Sequence, residues 1–151
     1  MKGGTYMSKK SKEKEKIYLT TKQQLKHLSK DEYLVIKDLC HIAKNLYNVG
    51  LYNVRQHFFN TGKYLSYKEN YQLSKTNENY QILNSNMAQQ ILKQVDHDFS
   101  SFFELLKLKN SGRYNEKVKI PHYKDKDGFD NLLIGFVRIS DDKLILPYSN
   151  S

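Results

Sequence analysis

The stretch Ser85 to Asn110, SNMAQQILKQVDHDFSSFFELLKLKN, constrains the fold more than any other part of the chain, because it holds the longest unbroken amphipathic pattern. Ala88, Ile91, Leu92, Val95, Phe99, Phe102, Phe103 and Leu106 recur in steps of three and four, which the helical period lays along one face. Gln89, Lys93, His97, Asp98 and Lys107 take the remaining arc. Ser85 is placed to cap the first turn, and Asn110-Ser111-Gly112 ends the last one where a left-handed residue is needed. A helix this long has an apolar face that the rest of the chain must cover.

Ser29-Lys30-Asp31-Glu32 is a capping box, in which the serine accepts from the third helical N–H and the glutamate reaches back to the serine N–H. It predicts one long helix over Asp31 to Asn60, not a helix-turn-helix, with Leu39, Ile42, Ala43, Leu46, Gly50, Val54 and Phe58 as its buried stripe. Gly50 allows a second helix to approach closely, and Gly62 ends the element. Lys44, Asn48, Arg55 and Gln56 lie off the stripe and are candidate contacts to phosphates or bases. Lys93, on the polar arc of the last helix, is another. His41 and His57 read as boundary histidines and Cys40 as a small buried hydrophobe. Ser66-Tyr67-Lys68-Glu69 is a second capping box and opens a short helix to about Ser74, on which Tyr67 and Tyr71 stack one turn apart. Thr76 to Asn84 is polar and Asn-rich and reads as a loop.

Alternation by two marks the rest. Lys16 to Thr21, Lys117 to Ile120, Leu132 to Ile139 and Lys143 to Pro147 read as short strands, so the expected fold class is α+β. The connection at Asp141-Asp142 lacks the glycine a tight hairpin favours, which predicts a loop longer than two residues. In the first of these tail segments Lys117 and Lys119 face away from Val118 and Ile120; together with Arg113, His122 and Lys124 they form a basic strand and loop suited to phosphates. Asp125, Asp127 and Asp130 lack the glycine and closing glutamate of a calcium loop and read as a solvated acidic turn. No metal or other cofactor is expected.

The net charge of +9 suggests nucleic acid, but its distribution is uneven. Residues 1 to 30 hold nine Lys against two Glu, 31 to 110 nine basic against eight acidic residues, and 111 to 151 seven against six. Most of the excess therefore sits in a Lys/Gly/Ser-rich arm, Met1 to Glu15, which lacks periodicity and reads as disordered. A single cysteine excludes a disulfide framework or a Cys-rich zinc site within the chain and fits a reducing cytoplasm. No apolar run is long enough for a membrane span or a signal peptide core. Phosphate-loop and nucleophile-elbow motifs are also missing, as are convergent carboxylates for two-metal chemistry.

Four ordered blocks carry a resemblance: LCHIAKNLYNVGLYNVRQHFF, TGKYLSY, AQQILKQVDHDFSSFFELLK and KIPHYK. Together they resemble the N-terminal part of the TnpB/OrfB proteins of bacterial insertion sequences, compact RNA-guided nucleases related to type V CRISPR effectors. The likeness spans roughly residues 16 to 147, with His122 standing where relatives usually carry arginine. It implies a helical recognition lobe inserted into a small β-barrel, with guide RNA and target-flanking double-stranded DNA as partners. It also implies base stacking by Tyr67 and base reading by Gln89, whose amide suits an adenine edge. The family's nuclease carboxylates and zinc module would lie beyond this chain, which is then a truncated lobe without catalysis of its own.

The expected divisions are a basic arm (1–15), a first barrel strand (16–28), a helical lobe (29–112) and remaining barrel strands (113–151) too few to close. An unclosed barrel leaves a strand edge open to self-association. The competing expectation is a small helical protein-interaction module with no nucleic-acid role.

Overall fold

The computed structural model describes residues 20, 22, 24–141 and 143–146. Four helices follow one another: α1 (Lys30–Thr61), α2 (Tyr67–Ser74), α3 (Glu78–Ile82) and α4 (Ser85–Asn110). Two three-residue strands, β1 (Arg138–Ser140) and β2 (Lys143–Ile145), pair antiparallel near the end.

Both capping boxes are formed. Ser29 accepts from the Glu32 N–H and Glu32 returns to the Ser29 N–H at 2.8 Å; Ser66 and Glu69 repeat the arrangement. The two glutamates are thereby held below the usual carboxylate range, first through the backbone bond at Glu32 and the side-chain bond at Glu69. α1 runs unbroken for 32 residues, about 48 Å, and stops at Gly62, whose φ of 68° is left-handed. At α4 the cap is Asn84, one residue earlier than expected, with its side chain accepting from the Asn86 N–H. The expected loop Thr76 to Asn84 contains α3, a five-residue helix capped by Asn77.

α4 buries Met87, Ala88, Ile91, Leu92, Val95, Phe99 and Phe102 against Ala43, Leu46, Tyr47, Leu51 and Val54 of α1. The close crossing is at Gly50, where an added Cβ would lie 2.8 Å from Leu92 Cδ2. Beside it, buried Asn70 donates to the Gly50 carbonyl at 3.2 Å and accepts from Asn53 and Ser74, which pins α2 to α1 with each polar group paired. Phe58, Tyr64, Phe99, Phe102 and Phe103 close the far end in edge-on and tilted contacts, the nearest pair 5.2 Å apart.

The expected barrel is absent from the described residues: this is a mostly helical fold with one small hairpin. Lys117 to Ile120 and most of Leu132 to Ile139 form no strand. Their alternation is real, since Val118, Ile120, Leu132 and Ile134 are half-buried against the helical core, but the surface they cover is a helix pair. Between these segments the carbonyls of Pro121, Lys124 and Lys126 accept from α1 side chains, and in the second the Gly135 N–H donates to Asn86 of α4. Among the described residues β1 and β2 pair only with each other, Ser140 opposite Lys143, so the connection is two residues long. Asp141 makes this possible by taking a left-handed φ of 49°, which aspartate tolerates better than most residues. Leu146, in the last of the expected strands, is half-buried and packs against the core. The expected disordered arm lies outside the described residues, and so does nearly all of the strand Lys16 to Thr21.

Candidate nucleic-acid interface

After α4 the chain turns at Gly112 and runs back as an extended strap, 113–137, over α1 and α4. Its register is set by a ladder of α1 side chains. Arg55 donates to the Pro121 carbonyl at 2.9 Å. Asn48 donates to the Lys124 carbonyl and accepts from the Lys124 N–H, both at 2.9 Å. Lys44 donates to the Lys126 carbonyl, His41 Nδ1 lies 3.1 Å from the Gly128 carbonyl, and the Asp130 N–H reaches the Cys40 carbonyl at 3.2 Å. The geometry follows from two repeats. Four helical residues advance about 6 Å and two extended residues about 6.6 Å, so the one turn from Asn48 to Lys44 spans the Lys124 and Lys126 carbonyls; Arg55, two turns from Asn48, meets Pro121 three residues before Lys124.

This arrangement sorts the candidate cations. Lys44 is only 2 % exposed and directed at a carbonyl. Arg55 is half-buried, with its guanidinium 4.9 Å from the Tyr123 ring centroid as well as bonded to Pro121. Lys124 pairs with Asp130 at 2.5 Å and lies over the Tyr47 ring. These three hold the strap to the helices.

Arg113, Lys117 and Lys119 are different. All three are exposed on the outward face, with Val118 and Ile120 turned inward between and beside them. Among the described residues, none of the three forms an ion pair. Lys109 supports this end of the strap by donating to the Glu116 carbonyl at 3.2 Å. Lys93 is exposed on α4 and forms no ion pair among the described residues either.

His122 is exposed and turns Nδ1 toward the Ile120 carbonyl at 3.1 Å, a contact that does not involve Nε2. With Lys119, Ile120 and Pro121 it lines the strap side of a cleft of about 320 Å³, and Asp98, Ser101, Phe102 and Leu105 of α4 line it as well. Tyr47 donates to Asp98 Oδ2 at 2.6 Å and Gln94 to Oδ1 at 2.7 Å. Burial, and then this hydrogen bond, push the Tyr47 phenol far above the usual tyrosine range. Tyr64 repeats the pattern with Asp96.

Tyr47 and Asp98 were not among the sequence candidates. Their signal was available at Asp98, a carboxylate at the margin of the apolar stripe with Val95 three residues before it and Phe102 four after, where an acid needs buried donors.

Tyr67 and Gln89 belong to another surface. Tyr67 is half-buried, its ring 6.5 Å from Tyr71, which meets Tyr80 edge-on at 5.9 Å, and Gln89 lies beside the Tyr80 hydroxyl. Burial raises the Tyr67 and Tyr80 phenols. In the acidic turn Asp130 pairs with Lys124 while Asp125 and Asp127 are exposed, and no set of three metal-ligating side chains converges among the described residues.

No family model matches the chain, and no curated protein matches it.

Proposed function

We propose that the chain is a nucleic-acid-binding lobe that takes the phosphate backbone along the outward face of its strap and performs no catalysis itself. The observation that carries this is the row Arg113, Lys117 and Lys119, exposed cations without acidic partners among the described residues, on a segment whose inward face is packed. Cations consumed in internal pairs could not exchange with counterions, whereas these can. The resemblance to TnpB/OrfB proteins supports guide RNA as the strand on this face and target-flanking duplex as a second partner. It also supports Tyr67 and Gln89 as contacts to the duplex; Lys93, exposed on α4 and without an ion pair among the described residues, is a further phosphate contact. Action in the cytoplasm belongs to the same reading: among the described residues no helix is long and apolar enough to cross a membrane.

The test is a salt titration of RNA affinity for the wild type and for Lys117→Gln/Lys119→Gln. The double variant should bind more weakly across sequences, with a slope of log affinity against log salt shallower by about two, since each phosphate contact contributes roughly one. An unchanged slope removes this face from the interface.

One observation favours a second reading, a protein-interaction module. Leu25, Leu28, Val35, Ile36 and Leu146 line an apolar cleft of about 680 Å³ at the start of α1, and Phe136 and Ile139 are exposed near the hairpin, at 64 % and 73 %. The outer hairpin edges have no strand partner among the described residues, which leaves them open to a second chain. Association through such a surface would persist or strengthen in high salt, opposite to phosphate binding.

A further inference from the structure

The cleft between α4 and the strap combines features that neither a free anion nor a free cation would need. Its lining brings Lys119 and His122 together with the Asp98 carboxylate and with apolar Phe102 and Ile120. A small anion would meet repulsion from Asp98, and a small cation repulsion from Lys119. A nucleotide can satisfy all three, with its phosphate on the basic side chains, its ring on the apolar ones and a donor edge at the carboxylate.

Asp98 decides which ring. A carboxylate has about four lone-pair sites and no donor. Tyr47 and Gln94 each occupy one, and the side chain remains 30 % exposed. His97, at 3.8 Å, is the only basic group paired with it among the described residues. The open lone pairs therefore favour an exocyclic amino group, as when a carboxylate accepts from cytosine N4, and disfavour the carbonyl that uracil presents there. A base pair would occupy the amino edge and could not reach into a cleft of this size, whereas an unpaired base can be splayed out of its strand.

We propose that this cleft is a subsite for one unpaired amino-bearing nucleobase, continuous with the phosphate face at Lys119. The inference rests on the nucleic-acid reading above and adds single-strand and base preference to it.

The experiment measures binding of the full chain to labelled oligo(C), oligo(U) and a duplex of equal length, by fluorescence anisotropy at fixed salt. Wild type should prefer oligo(C) over oligo(U) by about tenfold. Asp98→Asn should erase the preference while leaving the salt slope unchanged, because the phosphate contacts are intact. Lys119→Gln should weaken both single strands together. Ser101→Leu, at an exposed α4 position, should fill the cleft and weaken single-strand binding while sparing duplex, which keeps the proposal testable should Asp98→Asn fold poorly.

Equal affinity for oligo(C) and oligo(U), or a preference that survives both Asp98→Asn and Ser101→Leu, overturns the subsite. If binding then still responds to Lys117 and Lys119, only the subsite has failed. Failure to bind any of the three probes overturns the subsite and the interface reading together.

Discussion

Two sets of cations on this chain look alike in sequence and have opposite fates. Lys44 and Arg55 on α1 are turned inward on carbonyls of the strap, and Lys124 is paired with Asp130. Arg113, Lys117 and Lys119 point outward with no acidic partner among the described residues. The first set makes a helix face into a template for an extended segment; the second turns that segment into a basic surface. Net charge counts both sets equally, although only the second is available to a polyanion. A positive balance is thus a poor measure of a binding surface until the internal acceptors are counted.

The contrast is broken most severely at Asn48, which meets both polar groups of the Lys124 backbone. Asn48→Leu leaves an N–H and a carbonyl without partners and should cost about 2–3 kcal/mol, at roughly 1–3 per orphaned group when half-buried. Urea unfolding would measure the loss, and amide exchange should quicken through 121–130 before it does in α4. An effect below half that size would mean the strap is held by its apolar contacts alone. Lys44→Met should cost less, about 1–2 kcal/mol, because losing a charged hydrogen bond is partly offset by no longer burying an ammonium. Neither change should alter the salt slope of RNA binding. If Lys44→Met flattens it, Lys44 reaches phosphate and the division fails.

How much of this was legible depended on whether the signal was local. α1, α2 and α4 were readable because Ser29–Glu32 and Ser66–Glu69 are self-contained capping boxes and because α4 repeats its stripe over 26 residues. α3 was not, since five residues, ENYQI, span too few turns to show a period. At the strap the period was right and the inference from it wrong. Alternation at Val118 and Ile120 reports an extended chain with one covered face, and it is silent on whether a strand or a helix covers it. The information lay far away in sequence, in Lys44, Asn48 and Arg55. Their spacing on α1 serves a nucleic-acid face and a strap template equally well, and only their contacts distinguish the two. Tyr47 and Asp98 were missed for a related reason: they lie 51 residues apart and become a pair only when α1 packs on α4.

Alkaline pH sharpens the comparison without mutating a cation. Folded Tyr47 and Tyr64 hold their protons well above the unfolded value near 10. Once pH exceeds that value the unfolded chain binds fewer protons than the folded one. The stability these groups confer is therefore fully present below about pH 10 and lost as pH rises toward their folded values. Tyr47, covered by Lys124 of the strap, and Tyr64, inside the helical bundle, report on different regions. Tyr47→Phe and Tyr64→Phe should each flatten the alkaline fall in melting temperature. If the two flatten it equally, strap and bundle unfold as one unit. A fall relieved only by Tyr64→Phe would show the strap lifting first.

The smallest effect on stability should come from Lys119→Gln. Its ammonium is exposed and has no acidic partner among the described residues, while the inward contacts of this stretch belong to its neighbours Val118 and Ile120. A neutral amide of similar length should change the unfolding free energy by less than about 0.5 kcal/mol, as expected for a surface site away from special contacts. Its effect should be confined to nucleic-acid binding, where a single phosphate contact is worth about one unit of salt slope. A loss of stability near that of Lys44→Met would mean that Lys119 also holds the strap down. The outward row would then be a second fastening, and the basic face would shrink to Arg113 and Lys117.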